Sequence, residues 1–368
     1  MTPANLRFLL AAAALVISGP RSPAQVQTAV PTLTADGFAV PQPGYRFEFP
    51  RDHGAHPEFR IEWWYLTGHL RTAGDRRFGV QATFFRNAAP DRSGDLHLAH
   101  MAVLDGASGT FLHQERLNRE GWDARASRET LDLRNGPWTL RMIDPVTGRM
   151  ELNGGVRAEA GFSLTLTPIK PLVRFGQDGV SRKGADPTAA SYYLTYSRIA
   201  AEGTLTWNDT PLPVTGELWM DHEISSSQLS AGQVGWDWVS MQLTDGREVM
   251  LYRLRLRDGS ADPASTLTWV DGDGTTQTSG FEWAVESTWT SPKTGAVYPA
   301  RVRVTTTDPK TGTPVVLLVE PLAKDQELTG ELGGVPYWEG ACLVRDANGR
   351  ELGSAFMELT GYAKDLKI

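Results

Sequence analysis

The chain has 368 residues, 36 Lys+Arg against 43 Asp+Glu for a net charge of −7, and 40% hydrophobic residues. This length suits two domains, and the balance excludes a disordered or membrane-embedded chain; without a dense basic block, nucleic acid is excluded as the main partner. A single cysteine, Cys342, rules out an intrachain disulfide and any cysteine-based metal cluster.

Residues 1–24 read as an export signal. Arg7 supplies a thin positive start, Phe8 to Ile17 is apolar, and Ser22-Pro23-Ala24 offers small residues for cleavage. As a helix the apolar stretch covers about 15 Å, roughly half a bilayer core, so it is too short for an anchor. The expected location is outside the cytoplasm, periplasmic or secreted.

From residue 45 onward the chain reads as strands. Arg77 to Phe84, Phe162 to Leu166 and Glu248 to Leu254 alternate apolar with polar residues, separated by turn signals such as Asp105-Gly106, Asp245-Gly246 and Asn348-Gly349. The 37 Gly and 23 Pro fit this pattern of short strands. Residues 186–190 are the best helical candidate. Asn208-Asp209-Thr210 matches a glycosylation pattern but reads better as a hairpin turn.

The chain also echoes itself. Trp63-Trp64-Tyr65, leading to Leu70, has a later counterpart in Trp236-Asp237-Trp238, leading to Leu243. Gly216-Glu217-Leu218-Trp219-Met220-Asp221 is echoed by Gly353-Ser354-Ala355-Phe356-Met357-Glu358. Two similar all-β domains follow, residues 45–223 and 236–362, with a serine-rich linker at 224–235.

Two clusters carry possible chemistry. Six of the seven histidines lie between residues 53 and 113, and Asp52-His53-x-x-His56 with Glu62 invites a metal reading. The spacing matches no closed site, and Pro57 breaks any helix that would align two ligands, so no metal is assigned. On a strand, Glu217, Trp219, Asp221 and Glu223 share one face, with Leu218, Met220 and His222 on the other. A solvated face explains the carboxylates; a pocket explains the indole as well, because burial would keep one carboxyl protonated near neutral pH. His222 reaches such a pocket only through a bulge. The aromatic segments containing Trp64, Trp236 and Trp238 suit either a barrel floor or the wall of an apolar ligand site. With no Walker A loop, G-x-S-x-G elbow or dinucleotide fingerprint in a suitable setting, no cofactor is expected.

Arg51-Asp52-His53-Gly54-Ala55-His56-Pro57, Glu62 to Leu70, Trp219 to Glu223, Gly235-Trp236-Asp237-Trp238 and Tyr337-Trp338-Glu339-Gly340 together resemble the CrtC/AttH family over residues 45–362. The resemblance implies two tandem lipocalin-like, calycin-type antiparallel β-barrels. It also implies a hydrophobic small molecule or lipid as ligand and an ABC-transport system as partner. In the family's carotenoid hydratases an Asp protonates an isoprenoid double bond and aromatics stabilise the cation until water captures it. Asp221 matches that Asp, Trp219 a neighbouring aromatic and Tyr193 an upstream one, while His222 and Glu223 would tune the acid. Asp221-His222-Glu223 and the export signal depart from the hydratases and bring the chain nearer the AttH and predicted-hydrolase branch. A carrier that binds its ligand unchanged is the competing expectation.

Overall fold

Alternation with a period of two lets each strand bury one face in a barrel and offer the other to a neighbour, and this chain uses both faces. In the computed structural model residues 30–89, 91 and 93–366 are described; the expected export signal lies outside them. One sheet contains β1 (Ile61–Arg71), β2 (Arg77–Ala88), β3 (Asp95–Asp105), β4 (Thr110–Arg119), β5 (Ala124–Ala126), β6 (Asp132–Asn135), β7 (Trp138–Asp144), β8 (Arg149–Val156), β9 (Ala160–Pro168), β10 (Val173–Phe175), β11 (Ser181–Arg182), β12 (Ala190–Trp207) and β13 (Thr210–Ser227). The other contains β14 (Gln233–Leu243), β15 (Glu248–Leu256), β16 (Thr266–Val270), β17 (Thr276–Ser279), β18 (Phe281–Thr290), β19 (Val297–Thr307), β20 (Pro314–Pro321), β21 (Glu327–Leu328), β22 (Tyr337–Arg345) and β23 (Glu351–Leu359).

Both sheets curl into lipocalin-like barrels of antiparallel strands. Their paths run β4-β3-β2-β1-β13-β12 and onward through β9, and β17-β16-β15-β14-β23-β22 and onward through β20. The two paths correspond strand for strand at their centres. β1 and β14 open each repeat, and β13 and β23 return beside them. Even the register agrees: Tyr65 lies opposite Asp221, and Trp238 lies opposite Glu358. The sequence echoes are therefore structural equivalents.

The barrel interiors are filled by side chains. Leu66, Leu70, Phe78, Val80, Leu218 and Met220 belong to the first core, and Val239, Met241, Leu251, Trp338, Cys342 and Met357 to the second. Fully burying each large apolar side chain contributes about 1.5–3 kcal/mol. A third cluster joins the outer faces of the two barrels and includes Tyr65, Tyr193, Trp219, Trp238, Tyr252 and Phe356. Polar contacts fix the same junction. Fully buried Glu248 accepts from Lys170, Ser197 and Arg198 at 2.6, 3.0 and 2.7 Å.

Two local expectations are corrected and a third, the hairpin turn, is met. β13 continues to Ser227 and β14 begins at Gln233, so residues 228–232 connect the sheets, a shorter link than 224–235. Residues 186–189 form a turn leading into β12, which begins at Ala190, rather than a helix; Asp186 Oδ1 accepts from the Thr188 amide and hydroxyl, both at 2.8 Å, in competition with helical bonding. Asn208 and Asp209 have φ of 46° and 62° and link Trp207 to Thr210. This is the left-handed pair that a two-residue hairpin requires.

Candidate active site

The principal cavity, of about 270 Å³, lies between the barrels and draws its walls from both. Strand parity decides which side chains reach it. On β1, Ile61, Trp63 and Tyr65 face the cavity, while Trp64 turns into the first barrel. On β13, Asp221 and Glu223 face it while Leu218 and Met220 enter the core. β14 contributes Trp236 and Trp238, and β23 contributes Glu358. A bulge in β12 between Tyr196 and Ile199 reverses that strand's parity, so that Tyr193 lines the cavity although Ile199 and Ala201 further along are core.

Asp221 is 2% exposed and held by three donors. Tyr193 Oη donates to Oδ2 at 2.6 Å, and Thr195 Oγ1 and Trp219 Nε1 donate to Oδ1 at 2.5 and 2.7 Å. Trp238 Nε1 in turn donates to Tyr193 Oη at 2.9 Å. Burial raises the Asp221 pKa to about 7 and nearby Glu223 adds to the rise, against the three hydrogen bonds. With Oδ1 accepting two hydrogen bonds and Oδ2 one, the free lone pair for the acid proton is on Oδ2. The arrangement holds a proton donor at neutral pH among aromatic rings; Tyr65 and Trp238 meet edge to face at 5.1 Å.

Glu223 accepts from Ser191 Oγ at 2.5 Å and pairs with Lys183 Nζ at 2.9 Å. That ammonium lies 4.6 Å from the ring centres of both Tyr193 and Tyr252. Glu358 accepts from Trp236 Nε1 at 2.9 Å, and burial lifts its pKa to about 7 with a further contribution from Glu223.

Of the residues singled out from the sequence, Asp221, Glu223, Tyr193, Trp236 and Trp238 converge on the cavity. Trp219 stands behind Asp221, as a hydrogen-bond donor rather than a wall. His222 and Trp64 do not reach it. No bulge interrupts β13 at this point, so His222 points into the first barrel, where it stacks on Trp64 at 4.6 Å and hydrogen-bonds Glu62 at 2.8 Å. Sequence reasoning missed Trp63 and Tyr65, although alternation about Trp64 marks them. It also missed Glu358, which the echo with Asp221 marks. Lys183 and Thr195 carry no local signal.

Of the early histidines, His100 lines the cavity, while His56 joins a separate buried network with Glu62 and His222. Glu62 Oε1 accepts from His56 Nδ1 and His222 Nε2, both at 2.8 Å, while Arg86 Nε donates to Oε2 at 3.0 Å. His56 Nε2 also bonds Asp52 at 3.2 Å. Burial opposes charge on His56, but its two carboxylate partners raise it to about 9; His222 is lowered by burial. His56, Glu62 and His222 offer three ligand atoms close together. Both rings nonetheless aim at one carboxylate oxygen, and Arg86 already supplies a cation to the other. This geometry belongs to hydrogen bonding.

Residues 40–362 match the family model described as AttH-like. An AttH protein from Nitrosomonas europaea has a crystal structure that aligns with a TM-score of 0.79 at 35% identity, over 88% of this chain and 100% of that one. Kievitone hydratase from Nectria haematococca aligns at 0.67 and 14% identity, covering 91% of this chain and 96% of the other. CghA, in a structure with Sch210972, aligns at 0.53 and 11% identity, covering 90% and 97%. The last two show a shared fold. No curated protein matches the sequence.

Proposed function

The chain belongs to the AttH-like family, with a hydratase-like fold, and on that premise we propose that it is an acid-catalysed hydratase or hydrolase of an apolar, isoprenoid- or lipid-like molecule bound between the barrels. One observation carries the reading: Asp221 is a buried acid, pushed up to about 7, opening onto an aromatic cavity. Creating positive charge on carbon away from water is the hard step in hydrating an alkene. Asp221 supplies the proton from Oδ2, and the cavity-lining rings of Tyr65, Trp236 and Trp238 stabilise the cation. Water then adds to the cation and loses its own proton to a carboxylate. Kievitone hydratase shares the fold at 14% identity, so hydration is inferred here from the site chemistry.

Asp221→Asn tests the reading on terminal isoprenoid alkenes. The amide keeps the shape and cannot donate the acid proton, so turnover should be lost while folding and ligand binding persist. Full activity in that variant would overturn the assignment. A native mass spectrum in which an unchanged lipid co-purifies, with no turnover of it, would favour the carrier instead. Export follows from residues 1–24 in the same reading, with an ABC-transport system as partner; N-terminal sequencing of the mature protein checks the cleavage.

A further inference from the structure

The two repeats place an acid at the same point of each sheet. Asp221 on β13 lies opposite Tyr65 on β1, and Glu358 on β23 lies opposite Trp238 on β14. Both carboxyls line the same cavity, and each accepts an indole N–H, from Trp219 and Trp236 respectively. The opposing aromatics then cross over. Trp238 supports the first acid through Tyr193, while Tyr65 Oη donates to Glu339 Oε1 at 2.5 Å, and Glu339 is the residue opposite Glu358 on β22. Thr195 holds the equivalent place opposite Asp221. Tyr193 bonds its acid directly, whereas Glu339 stands beside Glu358 in the strand register.

We propose that Glu358, held by Trp236 and flanked in register by Glu339, is a second acid–base group of this pocket and receives the proton of the water that captures the cation. The proposal rests on the hydratase reading above. Asp221 forms the carbon–hydrogen bond and becomes a carboxylate. The alkene π pair forms that bond, water oxygen bonds the cationic carbon, and the water proton passes to the Glu358 carboxylate. Glu358 then releases its proton to solvent and Asp221 regains one, which restores both groups with no other reactant. Glu339 is fully buried, with Oε2 lacking a partner, and burial beside Glu358 holds its pKa well above the ordinary value. Being neutral, it adds no second charge against the Glu358 carboxylate. The other titratable groups bearing on Glu358 are Tyr65, Tyr337 and Glu223, the last paired with Lys183. Asp221 must begin protonated and Glu358 ionised, so opposite states of two similar groups define the active form.

Two measurements on the full chain test this. The first needs no substrate: carboxyl-stretch infrared difference spectra of wild type, Asp221→Asn and Glu358→Gln, taken across neutral pH. Two carboxyl groups should titrate there in the wild type and one in each variant; Gln still offers Trp236 an acceptor. A Glu358→Gln spectrum that retains both titrations overturns the proposal. The second follows citronellol in D2O. Glu358→Gln should retain deuterium exchange into the alkene while losing at least tenfold in alcohol formation, whereas Asp221→Asn loses both. Equal loss of exchange and alcohol in Glu358→Gln, or no loss of either, also overturns it. A wild-type protein inert toward citronellol counts against the hydratase reading, and the titration alone then decides whether Glu358 is a second acid.

Discussion

Trp238, from the second sheet, donates its indole N–H to Tyr193 of the first at 2.9 Å, and Tyr193 donates onward to Asp221 at 2.6 Å. The acid of one barrel is oriented by an indole of the other. Trp238→Phe keeps an aromatic ring against Tyr65 and removes the donor. The lost hydrogen bond is worth about 1 kcal/mol of stability, which lowers the thermal midpoint by a few degrees. Freed to rotate, Tyr193 no longer fixes Oδ2, and turnover should fall about tenfold. Steady-state kinetics beside thermal denaturation separates the two effects. Equal, small changes in both would make the bond merely structural.

Much of this was legible because strands expose their parity. The shared face of Trp219, Asp221 and Glu223 follows from spacing, and the two echoes locate the equivalent strands β1 and β14, β13 and β23. Parity also placed His222 on the opposite face, and the structure keeps it there. Two physical features escape a strand-by-strand reading. The bulge between Tyr196 and Ile199 changes which β12 residues reach the cavity. The cavity itself arises from two outer faces packed together, a relation between barrels that no single strand encodes. Lys183 is the clearest case: it comes from the segment before β12, and only packing brings it to Glu223, Tyr193 and Tyr252.

The raised Asp221 pKa also predicts a stability signature. In an unfolded chain Asp ionises near 3.9; here burial moves it to about 7. The stability associated with the neutral form is fully present below the unfolded value and is lost as pH rises through about 7. Asn cannot ionise, so Asp221→Asn escapes this loss. Relative to wild type, the variant should gain on the order of 4 kcal/mol between acidic and mildly alkaline pH. Paired denaturant titrations at both ends measure the gap. A gap independent of pH would mean that Asp221 ionises normally, removing it as a neutral-pH proton donor.

The Glu62 network should behave as a buried ion cluster. Arg86 is 1% exposed and depends on Glu62 and Asp95 for charge balance. Glu62→Gln leaves that guanidinium and His56 short of an anion, at a cost of about 3–5 kcal/mol. Burial opposes the Glu62 charge, but hydrogen bonds from His222 and His56 hold its pKa below the usual carboxylate range. Its contribution is therefore present above the unfolded carboxyl pKa and lost as pH falls through the folded one. The His56 contribution has the opposite sense: complete below its ordinary 6.5, it disappears as pH rises through about 9. Glu62→Gln should flatten both limbs of the stability profile. Chelator treatment of wild type should leave its midpoint unchanged; a large drop, restored by one divalent ion, would instead make His56, Glu62 and His222 a metal centre.

At the barrel junction, Glu248 of the second sheet is fully buried between Lys170 and Arg198 of the first, at 2.6 and 2.7 Å. Replacing a buried pair wholesale can be neutral, but removing one member strands the others' charge. Glu248→Ala leaves two cations, Lys170 and the mostly buried Arg198, with only the half-exposed Glu217 close to Arg198 as a remaining anion. The expected cost is about 3–5 kcal/mol, directed at the seam between the barrels. Because the cavity is made by that seam, loosening it should weaken ligand binding even where each barrel stays folded. Hydrogen exchange distinguishes the outcomes. Faster exchange confined to residues flanking the junction, with the cores around Leu66 and Val239 still protected, is expected; uniform acceleration would show that the two barrels unfold as one unit.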